Sequence, residues 1–245
     1  CQMIKTLVAV LVYISAILSS SAQAYYALGC GDPEYHQYIK EQFAHIETKN
    51  RRLLAETLRD YERSLTASKN PYQVIGDLSR HIKYSAQFEP INTVTAKIER
   101  IFEHADELSV EQQIAGDAID SFSSETHSVG IARAWLAYRQ DNHHLAFVEL
   151  LKSIEANRSA VLSSFGPDFE LIRHIYRDGH VEPVVAYIKK TEDFWIGRRP
   201  DALRYVWLKM IKAECKIQFN FIDTINALKL GLSIIDVNKD YGVSR

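Results

Sequence analysis

The chain has little of what β-structure and loop-rich folds require. Its 245 residues include ten Gly and six Pro, too few for the turns of a β-sandwich. Apolar and polar residues nowhere alternate as they do along a half-buried strand. Cysteine is scarce, three residues in all, and no Cys and His spacing matches a zinc site. Charge of one sign is not in excess either. Lys and Arg total 29 and Asp and Glu 31, a formal net charge of −2, which argues against the basic face of a dedicated nucleic-acid binder. The sequence has no Gly-x-Ser-x-Gly elbow, phosphate loop, dinucleotide fingerprint or His-Glu-x-x-His pair. What is present, 47% hydrophobic and 24% charged residues, suffices for one sizeable core or one elongated helical array.

One apolar run stands out. Residues 6–18 are almost wholly apolar, follow Met3-Ile4-Lys5, and lead through Ser19-Ser20-Ser21 to Ala22-Gln23-Ala24. A basic start, a short apolar stretch and an Ala-x-Ala site are the parts of a secretory signal peptide. The run is shorter than the ~20 residues a spanning helix needs. The expectation is a leader at 1–24, with an uncleaved anchor as the alternative. The remainder is then periplasmic or secreted, with no stable membrane span. An exported chain can keep a disulfide, and two cysteines follow the leader, Cys30 and Cys215. The residues alone leave open whether they pair or stay as separate thiols.

The rest reads as helices. Ile39, Phe43, Ile46, Leu53, Leu54, Leu58, Tyr61 and Leu65 recur at helical spacing among charged residues, which predicts one amphipathic helix or a pair. Pro71 closes that stretch. Val74, Ile75, Leu78 and Ile82 mark a second helix. Ile91, Val94, Ile98, Ile101, Ala105 and Leu108 mark a third. Ser109 and Gln112 have the spacing of a capping box and predict a short helix through Ile119, followed by a polar loop at 121–128. Further on, a helix is expected from Pro200 to about Phe219, with Leu203, Val206, Trp207, Met210 and Ile211 inward. The apolar tail 221–235 supplies a last one.

Between these lies a helical hairpin written twice. The first copy carries Ala134-Trp135-Leu136-Ala137-Tyr138-Arg139, a turn at Asp141-Asn142-His143, then Ala146-Phe147-Val148. The second carries Ile175-Tyr176-Arg177, a turn at Asp178-Gly179-His180, then Val184-Val185-Ala186-Tyr187. The turn histidines, His143 and His180, are 37 residues apart, close to the ~34-residue period of tetratricopeptide arrays. Trp135 and Tyr138 are read as bulky residues packing against the small Ala146. Pro183 is tolerated in a first helical turn, and Gly179 can supply a positive φ. The expected fold is all-α, a tetratricopeptide-like helical-hairpin solenoid, with a generic helical bundle as the alternative. Its segments are the leader at 1–24, an N-terminal helical region at 25–125, the hairpins at 126–220 and an apolar tail at 221–245.

A resemblance goes beyond the repeat. Ser164-Phe165-Gly166-Pro167-Asp168-Phe169-Glu170-Leu171, then Arg177-Asp178-Gly179-His180, then Val185-Ala186-Tyr187-Ile188 and Phe194-Trp195 look like the C-terminal module of an uncharacterised bacterial tetratricopeptide-like family. The resemblance covers roughly 126–219, implies a helical fold and names no reaction. Ile217-Gln218-Phe219-Asn220 departs from the Ile-Pro-Asp-Phe that the family usually carries there. Within the module Phe165 is expected to staple the following turn, Gly166 to free the entry angle, and Pro167 with Asp168 to open a helix.

Candidate sites are few. If the hairpins stack, His143 and His180 share an edge with Asp141 and Asp178, a donor set that suits a divalent transition metal. The same residues are also ordinary turn formers. An acidic stretch from Glu99 to Glu125, centred on Glu103, Asp106 and Glu107, is one candidate partner-binding surface. A basic region that opens at Arg198 and Arg199 and continues through Arg204, Lys209, Lys212 and Lys216 is the other. Trp195 and Trp207 are read as core. No catalytic residue, metal ligand or cofactor site is assigned. The functional expectation is an exported helical-repeat module that binds a protein or peptide in the bacterial envelope. The alternative is an envelope hydrolase or metal-dependent enzyme with a His/Asp site on the hairpin edge.

Overall fold

The computed structural model describes residues 26–67, 70–111, 123–155 and 160–234. The expected leader, the capping-box helix from Gln112 onward and the acidic residues Asp117 and Asp120 lie outside the described residues. Those described form helices and no strand: α1 (Pro33–Ala67), α2 (Pro71–Phe88), α3 (Ile91–Asp106), α4 (Ser123–Arg139), α5 (His143–Glu155), α6 (Ala160–Phe165), α7 (Glu170–Arg177), α8 (Val181–Lys190), α9 (Arg198–Lys212) and α10 (Ile222–Lys229). None of them is long and apolar enough to cross a membrane. The segment boundary expected at 125/126 falls in the first turn of α4.

The amphipathic stretch after Pro33 is one helix of 35 residues, about 52 Å long at 1.5 Å per residue. Its leucines are not its seam. Leu65 is exposed, and Leu53, Leu54 and Leu58 are half-buried, whereas Asn50, Thr57 and Ser64, spaced by seven, are buried. Small polar side chains let α2 approach closely; Asn50 bonds across to Gln87 and Glu170, and the other two are satisfied within α1. Thr57 Oγ1 donates to Leu53 O at 2.7 Å, and Ser64 Oγ to Tyr61 O at 2.8 Å.

Central α2 packs between α1, α3 and α4. Ile75, Leu78, Ile82 and Ala86 are all buried in it. So is His81, which lies 3.1 Å from Thr57 Oγ1 and 2.8 Å from Lys97 Nζ. Burial, helped by the Lys97 charge, pushes this imidazole down to about 4, so it stays neutral. At the end of α2, Arg139 donates to Ala86 O and Glu89 O, both at 2.8 Å. It thereby caps carbonyls left free by the last turn.

The stretch expected as a polar loop, 121–128, is replaced from Ser123 onward by the start of α4. The sequence shows only hydroxyls, Glu125 and a His from Ser123 to Ser128, but polar groups there bond within the helix, Ser128 Oγ to Ser124 O at 3.0 Å. His127 is buried as a bridge. Its Nε2 accepts from Asp168 N–H at 3.1 Å, so Nδ1 carries the proton and donates to Ser153 O at 3.1 Å. Farther along α4, Gly130 meets α5 at close range. A Cβ there would lie 2.6 Å from Ser153 Cβ. Gly130→Ala therefore forces the α4–α5 pair apart. We expect it to lower stability by about 1–3 kcal/mol, as overpacking does, measured by thermal unfolding against wild type.

Both hairpin turns have the same geometry. In the first, Asp141 has φ 57°, Asp141 N–H donates to Tyr138 O, and Asn142 N–H donates to Ala137 O. In the second, Gly179 has φ 93° and the corresponding bonds run to Tyr176 O and Ile175 O. These are Schellman ends, and they align Asn142, not His143, with His180. The same closure recurs at Glu214, φ 57°, with Cys215 N–H on Met210 O at 2.9 Å. It ends α9 at Lys212, well short of the expected Phe219. The chain then runs without helix from 215 to 221, which carries Cys215, Ile217 and Phe219 into the core.

That segment meets the start of the chain. Cys30 and Cys215 are joined by a disulfide with 4.7 Å between their Cα atoms. Tyr35 Oη donates to Lys216 O, and Tyr26 N–H donates to Lys229 O at 3.1 Å. In an open solenoid each hairpin touches only its neighbours. Here the first helix also contacts the segment between the last two.

The Phe-Gly-Pro-Asp module works differently from expectation. Phe165 is 82% exposed and staples nothing. The buried aromatic is Phe169, whose ring centre lies 4.7 Å from that of Trp207 and 5.6 Å from that of Tyr187. Gly166, φ 81°, lies against the Trp195 indole, where a Cβ would stand 2.6 Å from the ring. Asp168 precedes α7 and accepts from Glu170 N–H at 2.7 Å. It also pairs with Lys83 of α2 at 2.6 Å. Burial pushes its carboxyl up, but Lys83 and the backbone donor outweigh this and hold it below the usual carboxylate range.

Candidate functional site

α1, the end of α2, α4 and α7 line an open cavity of about 740 Å³, with Lys216 also in its wall. Its apolar lining comes from Ile39 and Phe43 of α1, Phe88 of α2 and Trp135 and Tyr138 of α4. These positions are separated by up to a hundred residues in sequence and meet because α2 packs on both α1 and α4. Ile39 and Trp135 are buried, while Phe43 and Phe88 are half-buried. The helical spacing identifies Ile39 and Phe43 as inward, but not that they face a hollow rather than solid core.

Polar groups ring this lining, and three of its four carboxylates, all but the exposed Asp141, are committed. Glu47 pairs with Arg51 at 2.8 Å. Glu170 accepts from Arg173 at 2.6 Å and from Asn50 at 3.3 Å. Asp178 accepts from Tyr138 Oη at 2.7 Å and from Arg177 at 3.3 Å. Arg173 is anchored further by Gln218 O at 2.8 Å. Burial pushes the Tyr138 phenol up, and the Asp178 carboxylate that it bonds adds to this.

His174 lies edge-on to Trp135, ring centres 4.9 Å apart. Its Nδ1 lies 3.1 Å from Arg177 Nη2. A guanidinium can only donate, so Nδ1 accepts and the proton sits on Nε2. Burial, with Arg177 and Arg173 adding to it, pushes this histidine down to about 4. At neutral pH it is therefore an uncharged ring that offers one N–H.

The residues singled out from sequence lie elsewhere. Glu103, Asp106 and Glu107 are exposed at the end of α3, with Glu103 on Arg100 at 2.7 Å. Arg198 and Arg199 are exposed at the start of α9. None of these five residues lines the cavity. The basic region is also less continuous than its spacing suggests. Arg204 is buried on Trp195 O at 2.6 Å, Lys209 is bonded to Ser233 O, and Lys216 turns into the cavity rim. His143 and His180 do share an edge, ring centres 4.6 Å apart, with Tyr138 stacked on His143 at 5.0 Å. Asp141 lies 3.9 Å from His143. Among the described residues, no three His, Cys, Asp or Glu side chains group closely enough to hold a metal ion.

Trp135 does not simply pair with Ala146 as the hairpin pattern suggests. It faces His174 of the next hairpin and the cavity. The chain matches no family model, no curated protein and no solved structure. The geometry therefore carries the functional reading by itself.

Proposed function

We propose that this chain is an exported helical-repeat protein, tetratricopeptide-like in its hairpins, that binds a short protein or peptide segment in the bacterial envelope. The observation that carries this reading is the cavity itself. It is concave, has an apolar floor and a polar rim, and its 740 Å³ falls in the range of ligand sites, about 300–1,000 Å³. Helical-repeat folds use such concave faces to hold partners. The leader expected at 1–24 supports export, and a disulfide between Cys30 and Cys215 suits an oxidising compartment.

Ala44 is exposed on the cavity-facing side of α1, so Ala44→Trp fills the hollow without disturbing the core. Selection from a random peptide library should enrich sequences that bind wild type and lose at least about tenfold in affinity on this variant, a loss of about 1.4 kcal/mol. Enrichment of nothing, or of peptides that bind both proteins equally, would exclude the cavity as the site.

A further inference from the structure

We infer that the segment this cavity receives is an acidic peptide carrying an apolar or aromatic side chain. The inference rests on the binding reading above and concerns the chemistry of the occupant. The chain as a whole has a net charge of −2, yet the cavity wall is positive. Six cations line it, Lys40, Arg51, Arg139, Arg173, Arg177 and Lys216, against four carboxylates, Glu47, Asp141, Glu170 and Asp178.

The excess is not neutralised internally. Arg51, Arg173 and Arg177 are matched by Glu47, Glu170 and Asp178. Arg139 is bonded only to backbone carbonyls, which carry no net charge. Lys40 and Lys216 are exposed, and no carboxylate pairs with either among the described residues. The same wall holds a further donor, the Nε2–H of neutral His174, whose ring lies edge-on to Trp135. Apart from Asp141, which is exposed and lies 3.9 Å from His143, the carboxylates of the wall are used by its own arginines, asparagine and tyrosine, so what the wall offers an occupant is mainly donors and a net positive charge beside an apolar lining. A ligand of acceptors and negative charge with an apolar body complements both.

The test uses the full oxidised chain and three fluorescent hexapeptides, each blocked at both ends and each with a central phenylalanine. One carries Asp and Glu at the flanking positions, one their amides Asn and Gln, and one Lys. Anisotropy titration should show the acidic peptide binding at least about tenfold tighter than its amide counterpart, with the margin shrinking as salt rises. Lys40→Gln with Lys216→Gln should remove that margin while leaving the amide peptide unchanged. Both lysines are exposed, and an unaltered unfolding temperature checks that the variant folds. Equal binding of the acidic and amide peptides, or an acidic preference that survives the double substitution, would overturn the inference and leave the cavity reading standing. Binding of no peptide, with Ala44→Trp equally inert, would remove both.

Discussion

Reduction of the Cys30–Cys215 disulfide lowers stability by about 3–5 kcal/mol, the range expected when a cross-link closes a loop of this length. The bridge spans 185 residues, so opening it returns a large loop-closure entropy to the unfolded chain. The native side adds to the loss. Cys215 is fully buried, and its carbonyl accepts from Tyr176 Oη at 2.7 Å. The next residue, Lys216, holds Tyr35 through its carbonyl. The bridge therefore fixes the start of α1 against the segment that leads to α10. His36 and Lys216 line the cavity from these two sides, so reduction also loosens its mouth. Urea unfolding of oxidised protein, of protein kept in reductant, and of Cys30→Ser with Cys215→Ser measures the effect. A difference under about 1 kcal/mol would show that contacts other than the bridge hold the two ends together.

Asp223→Ala costs a similar amount for a different reason. Asp223 is fully buried at the start of α10. Its two oxygens accept from Trp207 Nε1 at 3.0 Å, Gln218 N–H at 3.1 Å and Asn220 N–H at 3.0 Å. Alanine strands these three donors, of which the buried Trp207 Nε1–H and Gln218 N–H each cost about 1–3 kcal/mol when left unsatisfied. We expect a loss of about 4 kcal/mol, or roughly 8–16 °C in unfolding temperature for a chain of this size. Asp223→Asn keeps one accepting oxygen and turns a donor toward the others, so it should fall between wild type and Ala. Burial outweighs the three donors and pushes this carboxyl up to about 6. Raising pH through that value charges a buried group, so the contribution of Asp223 itself falls from pH 4 to 7. Calorimetry of the two variants at pH 5 and pH 7 reads both effects, and a loss under 1 kcal/mol for Asp223→Ala would mean that water reaches the donors.

Much of the architecture is legible in the residues, and the parts that are not fail for identifiable reasons. The helical class follows from apolar periodicity, and the hairpin turn at Gly179 follows from its need for positive φ. The matching turn at Asp141 is one residue out of register with the histidine spacing, because the chain is aligned by its Schellman bonds and not by side-chain type. The seam of α1 is missed because Asn50, Thr57 and Ser64 are polar. Their burial is tolerated through hydrogen bonds made within α1 by Thr57 and Ser64, and to α2 and α7 by Asn50. Phe165 and Phe169 are equally apolar in sequence, yet the first is exposed and the second packs on Trp207, on either side of the positive φ at Gly166. The cavity is the hardest feature to foresee. An inward aromatic such as Phe43 or Trp135 reads the same whether it meets another side chain or an opening, and the charges of Lys40 and Lys216 gain meaning only when helices far apart in sequence are brought together.

In the proposed function the ligand sits between α1, α4 and α7, not on the exposed acidic or basic surfaces. Hydrogen exchange, followed by mass spectrometry with and without a saturating excess of the tightest-binding peptide, locates it directly. We expect slowed exchange in segments 36–51, 135–141 and 173–178, with segments 99–107 and 198–204 unchanged. Slowing confined to 99–107 or 198–204, with the cavity segments unaffected, would contradict it.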